Sequence, residues 1–140
     1  MVYRSEFYIS TKRFNSEMIK NFLIVGLGGA SGSMLRYGVQ KIFNIQTTTV
    51  FPTGTLLVNL AGCFLIGILW GIVSRSLSWN EEMKLLLMTG FCGGFTTFSA
   101  FTLEGIGLLK ENKTALFIIY LTASVVGGLL ATFIGIRIAK

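Results

Sequence analysis

Apolar residues fall in four long runs along the chain, at about residues 22–43, 54–73, 83–109 and 115–138, and polar or charged residues stand between them. A helix needs about 20 predominantly apolar residues to cross a bilayer. Inside lipid the backbone must satisfy its own hydrogen bonds, so runs of this length predict helices. The expected fold is an all-α integral membrane protein with four transmembrane helices per chain, in which residues 18–140 form a single membrane domain. Residues 1–17 carry no apolar run and are expected to be a polar tail. They do not resemble a signal peptide, because the stretch that follows is of full spanning length and ends in no small-residue cleavage pattern. Met18-Ile19-Lys20-Asn21 leads compactly into the first run, and a start at Met18 would leave residues 1–17 untranslated.

The third run departs from the pattern of an ordinary spanning helix. Within Thr89-Gly90-Phe91-Cys92-Gly93-Gly94-Phe95-Thr96-Thr97-Phe98-Ser99-Ala100-Phe101, three glycines occupy five positions, and hydroxyls then alternate with phenylalanines. Each glycine weakens a helix by about 1 kcal/mol relative to alanine. Glycines followed by Thr96, Thr97 and Ser99 predict a helix broken near Gly93–Thr96. Non-helical backbone at membrane depth is tolerated where it is buried in protein or lines a wet cavity, so the break marks a candidate site.

Composition supports the membrane reading and removes much chemistry. Hydrophobic residues make up 52%, charged residues 13%, and the mean hydropathy is +0.70. The chain has neither histidine nor aspartate, and of its six glutamates only Glu104 lies inside an apolar run. Imidazole catalysis, paired-carboxylate hydrolysis and most metal-site chemistry are therefore excluded, and no enzyme activity is expected. The net charge of +6 comes from lysines and arginines placed mostly at the ends of runs and in the tail, as interfacial anchors are, so no nucleic-acid partner is expected. Gly26, Gly28 and Gly32 come close to a dinucleotide-binding turn, but no strand–helix–strand unit or later acidic residue accompanies them. Cys63 and Cys92 are single and read as packing residues.

Few polar side chains lie within the runs. Gly28 and Gly32 share a helix face that another backbone can approach, as do Gly67 and Gly71, and Ala131 and Gly135. Arg36 is costly within a span unless it faces a wet cavity, meets a partner or reaches the interface, so it is either a vestibule residue or an anchor. Asn59 offers two donors and an acceptor, either to a pathway or to a neighbouring helix. Tyr120 and Ser124, four apart, put two hydroxyls on one face, as a pathway or as packing and capping groups. Glu104 lies at roughly the depth of Arg36, and the two are expected to form a vestibule pair.

Three motifs in order, Gly28-Gly29-xx-Gly32-xxx-Arg36-Tyr37, Gly54-Thr55-Leu56-x-Val58-Asn59 and Gly90-xx-Gly93-Gly94-x-Thr96-Thr97-Phe98-Ser99-x-Phe101, resemble those of the Fluc (CrcB-type) family of bacterial fluoride channels. The resemblance runs from Met18 to the C-terminus. Ser33 stands where the family often has alanine, and Ala100 where it often has threonine. The resemblance implies passive, fluoride-selective export across the bacterial plasma membrane. It implies that Phe98 and Phe101 line the pore, and that Asn59, Thr97, Ser99, Tyr120 and Ser124 supply donors along it. It further implies a structural sodium ion (Na+) held by the Gly93 and Thr96 carbonyls at the centre of a dimer, and an antiparallel, dual-topology assembly.

Four spans are few for enclosing a pathway, which agrees with a homodimer or with a pair formed with an oppositely oriented paralogue. With four crossings, eight lysines and arginines fall on the side of both termini and three on the other; from Met18 the ratio is five to three, a weak bias that permits insertion both ways. A small multidrug or cation transporter is also a four-span dimer, but it needs an embedded carboxylate at its substrate site, for which Glu104 is the one candidate. A non-transporting membrane scaffold would account for the glycines and leave the clustered donors and rings unexplained.

Overall fold

The computed structural model describes the backbone of residues 2–46, 50–75 and 79–140, and side chains at 15–43, 50–75 and 79–140. The side chains of Arg4, Lys12 and Arg13, which enter the orientation count, and Thr47–Thr49 of the first connection lie outside the described residues. Helix α1 runs from Val2 to Gln46, so the backbone of the polar leading segment continues into the first span without interruption. Helix α2 spans Thr53–Arg75 and α6 spans Thr114–Ala139. The third crossing is composite: α3 (Glu81–Lys84), a π-helical stretch (Leu85–Cys92), α4 (Gly93–Phe95), a break, and α5 (Phe98–Lys110). The described residues are all helical apart from turns and short connections, and four segments, Asn15–Phe43, Thr53–Arg75, Glu81–Lys110 and Thr114–Ala139, are long and apolar enough to cross a membrane.

Local chemistry sets the ends. The Asn80 side chain accepts from the Met83 amide at 2.9 Å, and Glu81 and Glu82 sit in the first turn of α3, where carboxylates favour the helix N-terminus. At the end of α5, Asn112 takes a positive φ of 57°, a conformation that asparagine adopts more readily than most residues. This lets the Lys113 amide reach Leu108 O (2.8 Å) and the Asn112 amide reach Leu109 O (3.0 Å), the paired bonds that close a helix and redirect the chain. The turn into α6 is correspondingly short.

Two close helix contacts organise the bundle: α2 lies along α6, and α1 lies along the π-helical stretch and α4. In the first, a methyl at Gly67 would run into the Thr132 backbone and one at Gly135 into Phe64 O, and Thr132 Oγ1 donates to Cys63 O at 3.0 Å. In the second, methyls at Gly28 and Gly32 would collide with the carbonyls of Leu86 and Phe91. Small residues thus let backbones meet directly, the contact that dispersion favours where lipid removes the usual hydrophobic drive. The Lys20–Glu82 ion pair (2.5 Å) ties the start of α3 to α1, and the Arg75 bond to Ala139 O (3.5 Å) ties the end of α2 to the end of α6. Large apolar side chains such as Phe22, Leu27 and Leu129 point outward, as expected of a surface solvated by acyl chains.

Candidate functional site at the break of the third span

The break falls at Thr96 and Thr97, whose backbones are extended (φ −81°, ψ 157° and φ −149°, ψ 117°), at the C-terminal edge of the Gly93–Thr96 region indicated by the sequence. The glycines before it remain helical, Gly93 with φ −63° and ψ −37°. Gly94 serves proximity instead of flexibility, since a methyl there would meet the backbone of Gly29. The helix ends are closed by side chains. Thr96 Oγ1 donates to Cys92 O (2.9 Å), and Thr97 Oγ1 accepts from the Ala100 amide (3.2 Å) as the N-cap of α5.

Asn59 on α2 fastens the extended segment from the side. Its Oδ1 accepts from the Thr97 amide at 2.8 Å and its Nδ2 donates to the Thr97 carbonyl at 3.0 Å, so one amide replaces both bonds that the interrupted helix forfeits at that residue. One Nδ2 hydrogen is left over. From the other side, Arg36 Nε (3.1 Å) and Ser33 Oγ (3.3 Å) both donate to Gly94 O, one of the last carbonyls before the break. A guanidinium at a helix C-terminus is favoured by the dipole as well as by the bond. Ser33 thus adds a bond to this helix end that alanine could not make.

Around the break lies a cavity of 480 Å³, lined mainly by apolar groups. Asn59, Gly93, Thr96, Thr97, Phe98, Phe101 and Ser124 all border it, and among the described residues no charged side chain does. The rings of Phe98 and Phe101 stand 5.6 Å apart, Phe98 exposed and Phe101 buried. Ser124 Oγ is buried without a hydrogen-bond partner among the described residues. Ser124 borders the cavity, and a buried hydroxyl left without a partner calls for an explanation such as a ligand or water. Ser99 Oγ lies 3.3 Å from Thr97 Oγ1 in an exposed position, and Ser99 does not itself border the cavity.

Glu104 and Tyr120 are placed differently from the expectation. Arg36 and Glu104 form no ion pair among the described residues: Arg36 turns to Gly94 O, and each Glu104 oxygen has its own donor, Thr55 Oγ1 and Tyr120 Oη, each at 2.7 Å. Two hydroxyls arriving from neighbouring helices satisfy the carboxylate, and the guanidinium is engaged by the Gly94 carbonyl within α4. Tyr120 is fully buried beside Phe101, ring centroids 5.1 Å apart, and does not border the cavity, whereas Ser124 does. Sequence reasoning gave no role to Gln40, whose Nε2 donates to Thr55 Oγ1 at 2.8 Å, or to Thr55 beyond its place in a motif. Neither residue carries a local pattern that would have marked it.

Comparison with known proteins bears on what such a site serves. Residues 23–136 match the family model described as CrcB-like protein, Camphor Resistance (CrcB). The chain belongs to the CrcB-like family. Its relatives include proteins named "Fluoride-specific ion channel FluC" from Flavobacterium psychrophilum (42% identical over 122 residues, 87% of this chain and 98% of the relative), Phocaeicola vulgatus (44% over 122 residues, 87% and 100%) and Rhizobium etli (45% over 118 residues, 84% and 94%). Family membership agrees with the resemblance carried by the three motifs, and with a multi-pass membrane protein that is not an enzyme.

Proposed function

We propose that this CrcB-like protein is a passive, fluoride-selective channel that lets fluoride leave the cytoplasm and so limits its toxicity. The observation that carries the reading is the cavity at the break, where Asn59, Ser124 and the rings of Phe98 and Phe101 converge and, among the described residues, no charged side chain intrudes. Fluoride is small and strongly hydrated, so a path must replace its water with several donors without a full charge that would hold the ion in place. The free Nδ2 hydrogen of Asn59, the hydroxyls of Ser124, Thr97 and Ser99 and the positive ring edges make such a set. Fixed donors in a packed wall disfavour the larger chloride. Glu104 does not border the cavity, and both its oxygens are hydrogen-bonded, which tells against a proton-coupled carrier with that residue at its substrate site.

The channel would be a dimer, either of two copies or of this chain with an inverted paralogue. Phe98 is 77% exposed in the single chain, and Gly93 beside it has open space where a side chain would stand, so a second subunit would complete the wall. The antiparallel arrangement rests on the weak charge bias. Among the described residues, the carbonyls of Gly93 and Thr96 accept no hydrogen bond, and uncommitted carbonyl oxygens suit a hard cation. They would hold a structural sodium ion shared between subunits, whose charge would fix the two breaks against each other. Arg36 would act at the vestibule end of the same helix terminus.

Liposomes loaded with fluoride and chloride and carrying the purified protein test the reading. Ion-selective electrodes should record rapid fluoride efflux with little chloride, slowed by Phe98→Ile and by Asn59→Asp. Equal efflux of both anions would refute selectivity. Undiminished fluoride efflux from both variants would place the path elsewhere. For the cation, the dimer should persist during gel filtration in sodium and weaken when N-methylglucamine replaces it; identical behaviour in both would refute the sodium site.

A further inference from the structure

One chain of hydrogen bonds takes a single side chain from each of the four spanning segments. Gln40 on α1 donates through Nε2 to Thr55 Oγ1 on α2 (2.8 Å), and Thr55 Oγ1 donates to Glu104 Oε1 on α5 (2.7 Å). Tyr120 Oη on α6 donates to the other carboxylate oxygen (2.7 Å). Thr55 and Tyr120 are both buried, at 2% and 0% exposure. A threonine hydroxyl has one proton to give. With Gln40 supplying a donor to its oxygen, that proton is directed to Glu104, and each bond in such a series polarises the next. The geometry allows this because Gly54 brings α2 against α1: a methyl there would lie 3.3 Å from the Gln40 Cα.

The far end of the chain reaches the candidate pore. The Tyr120 ring packs at 5.1 Å from Phe101, which stands 5.6 Å from Phe98, and Phe51 closes on Tyr120 at 5.6 Å from the other side. We propose that Gln40 is a positioning residue for conduction: by orienting the Thr55 hydroxyl it holds the Glu104 carboxylate, and through Tyr120 it sets the Phe101 ring at the cavity wall. Gln40 touches no permeating ion in this account. The inference rests on the fluoride-channel reading, because its readout is fluoride efflux.

A double-mutant cycle in liposomes tests it, with full-length protein and melting temperatures measured on the same preparations. Gln40→Met and Thr55→Val should each slow fluoride efflux by about fivefold, the factor that one net hydrogen bond supports. The double variant should be no slower than the slower single, because the two residues act through one bond chain. Gln40→Glu, which keeps length but offers oxygen acceptors, should slow efflux as Gln40→Met does, identifying the donated hydrogen as the cause. Multiplying effects in the double variant, or wild-type efflux from Gln40→Glu, would overturn the relay while leaving the channel reading intact. A fall in efflux that tracks the melting temperature across all variants would likewise overturn it in favour of simple packing. Wild-type protein that passes no fluoride would overturn both readings at once.

Discussion

Replacing Asn59 by leucine should show how much of the broken helix hangs on one side chain. The amide supplies both partners of Thr97, at 2.8 and 3.0 Å, so leucine would orphan a backbone N–H and a backbone C=O together. A buried unpaired group costs about 1–3 kcal/mol, and a half-buried site beside a cavity belongs at the lower end, which gives about 2–3 kcal/mol for the pair. For a chain of this length that corresponds to a fall of about 6–12 °C in melting temperature. Asn59→Asp keeps the acceptor for the Thr97 amide and loses the donor, so its loss should be smaller although its fluoride efflux falls as well. Thermal melts followed by tryptophan fluorescence in detergent give the stability, and hydrogen exchange at the Thr97 amide gives the local opening. A leucine variant that melts within about 1 °C of wild type, with the Thr97 amide still protected, would refute the claim that Asn59 carries the break.

Four further substitutions separate structure from conduction. Ser124→Ala removes a hydroxyl with no partner among the described residues, so melting should stay unchanged or rise slightly while fluoride efflux slows; a fall in melting temperature would refute an unpaired Ser124. Gly94→Ala pushes a methyl against Gly29, 2.9 Å from its Cα, and should destabilise by about 1–3 kcal/mol in the same melts. Gly107→Ala, with nothing within 4 Å, should be neutral or stabilising. Glu104→Gln keeps one acceptor oxygen and replaces the other with an NH2 donor, so one of the two hydroxyl protons loses its acceptor, and it should lower stability by about 1–3 kcal/mol.

The spans were readable because lipid imposes a coarse rule that needs no partner: enough consecutive apolar residues to satisfy the thickness. The break was readable because Gly93-Gly94 followed by Thr96-Thr97 is a local composition signal, and a threonine N-cap is a local device. What the glycines do was less legible. Gly94 was grouped with the cause of the break, yet it stays helical and serves the approach of Gly29, a contact between residues 65 positions apart in the chain. The π-helical winding of Leu85–Cys92 likewise has no sequence period of its own; it forms against α1, where Gly28 and Gly32 admit its carbonyls. Arg36 and Glu104 were matched by charge and depth, but rotation about each helix axis decides which groups meet, and a list of positions does not contain it. For the same reason Gln40 and Thr55 passed unnoticed, being ordinary polar residues until four helices bring them into line.

That alignment also has consequences for how the protein is made. The carboxylate of Glu104 enters the membrane on the third span, when Thr55 has already been inserted but Tyr120 has not yet left the ribosome. Until the last helix arrives, one carboxylate oxygen lacks its donor inside the bilayer, where an unsatisfied charge is strongly disfavoured. The third span would then be completed only when the final helix brings Tyr120 to Glu104. A chain truncated before Thr114 would be left with an incompletely partnered acid at membrane depth, the kind of defect by which quality-control proteases distinguish unfinished membrane proteins from finished ones.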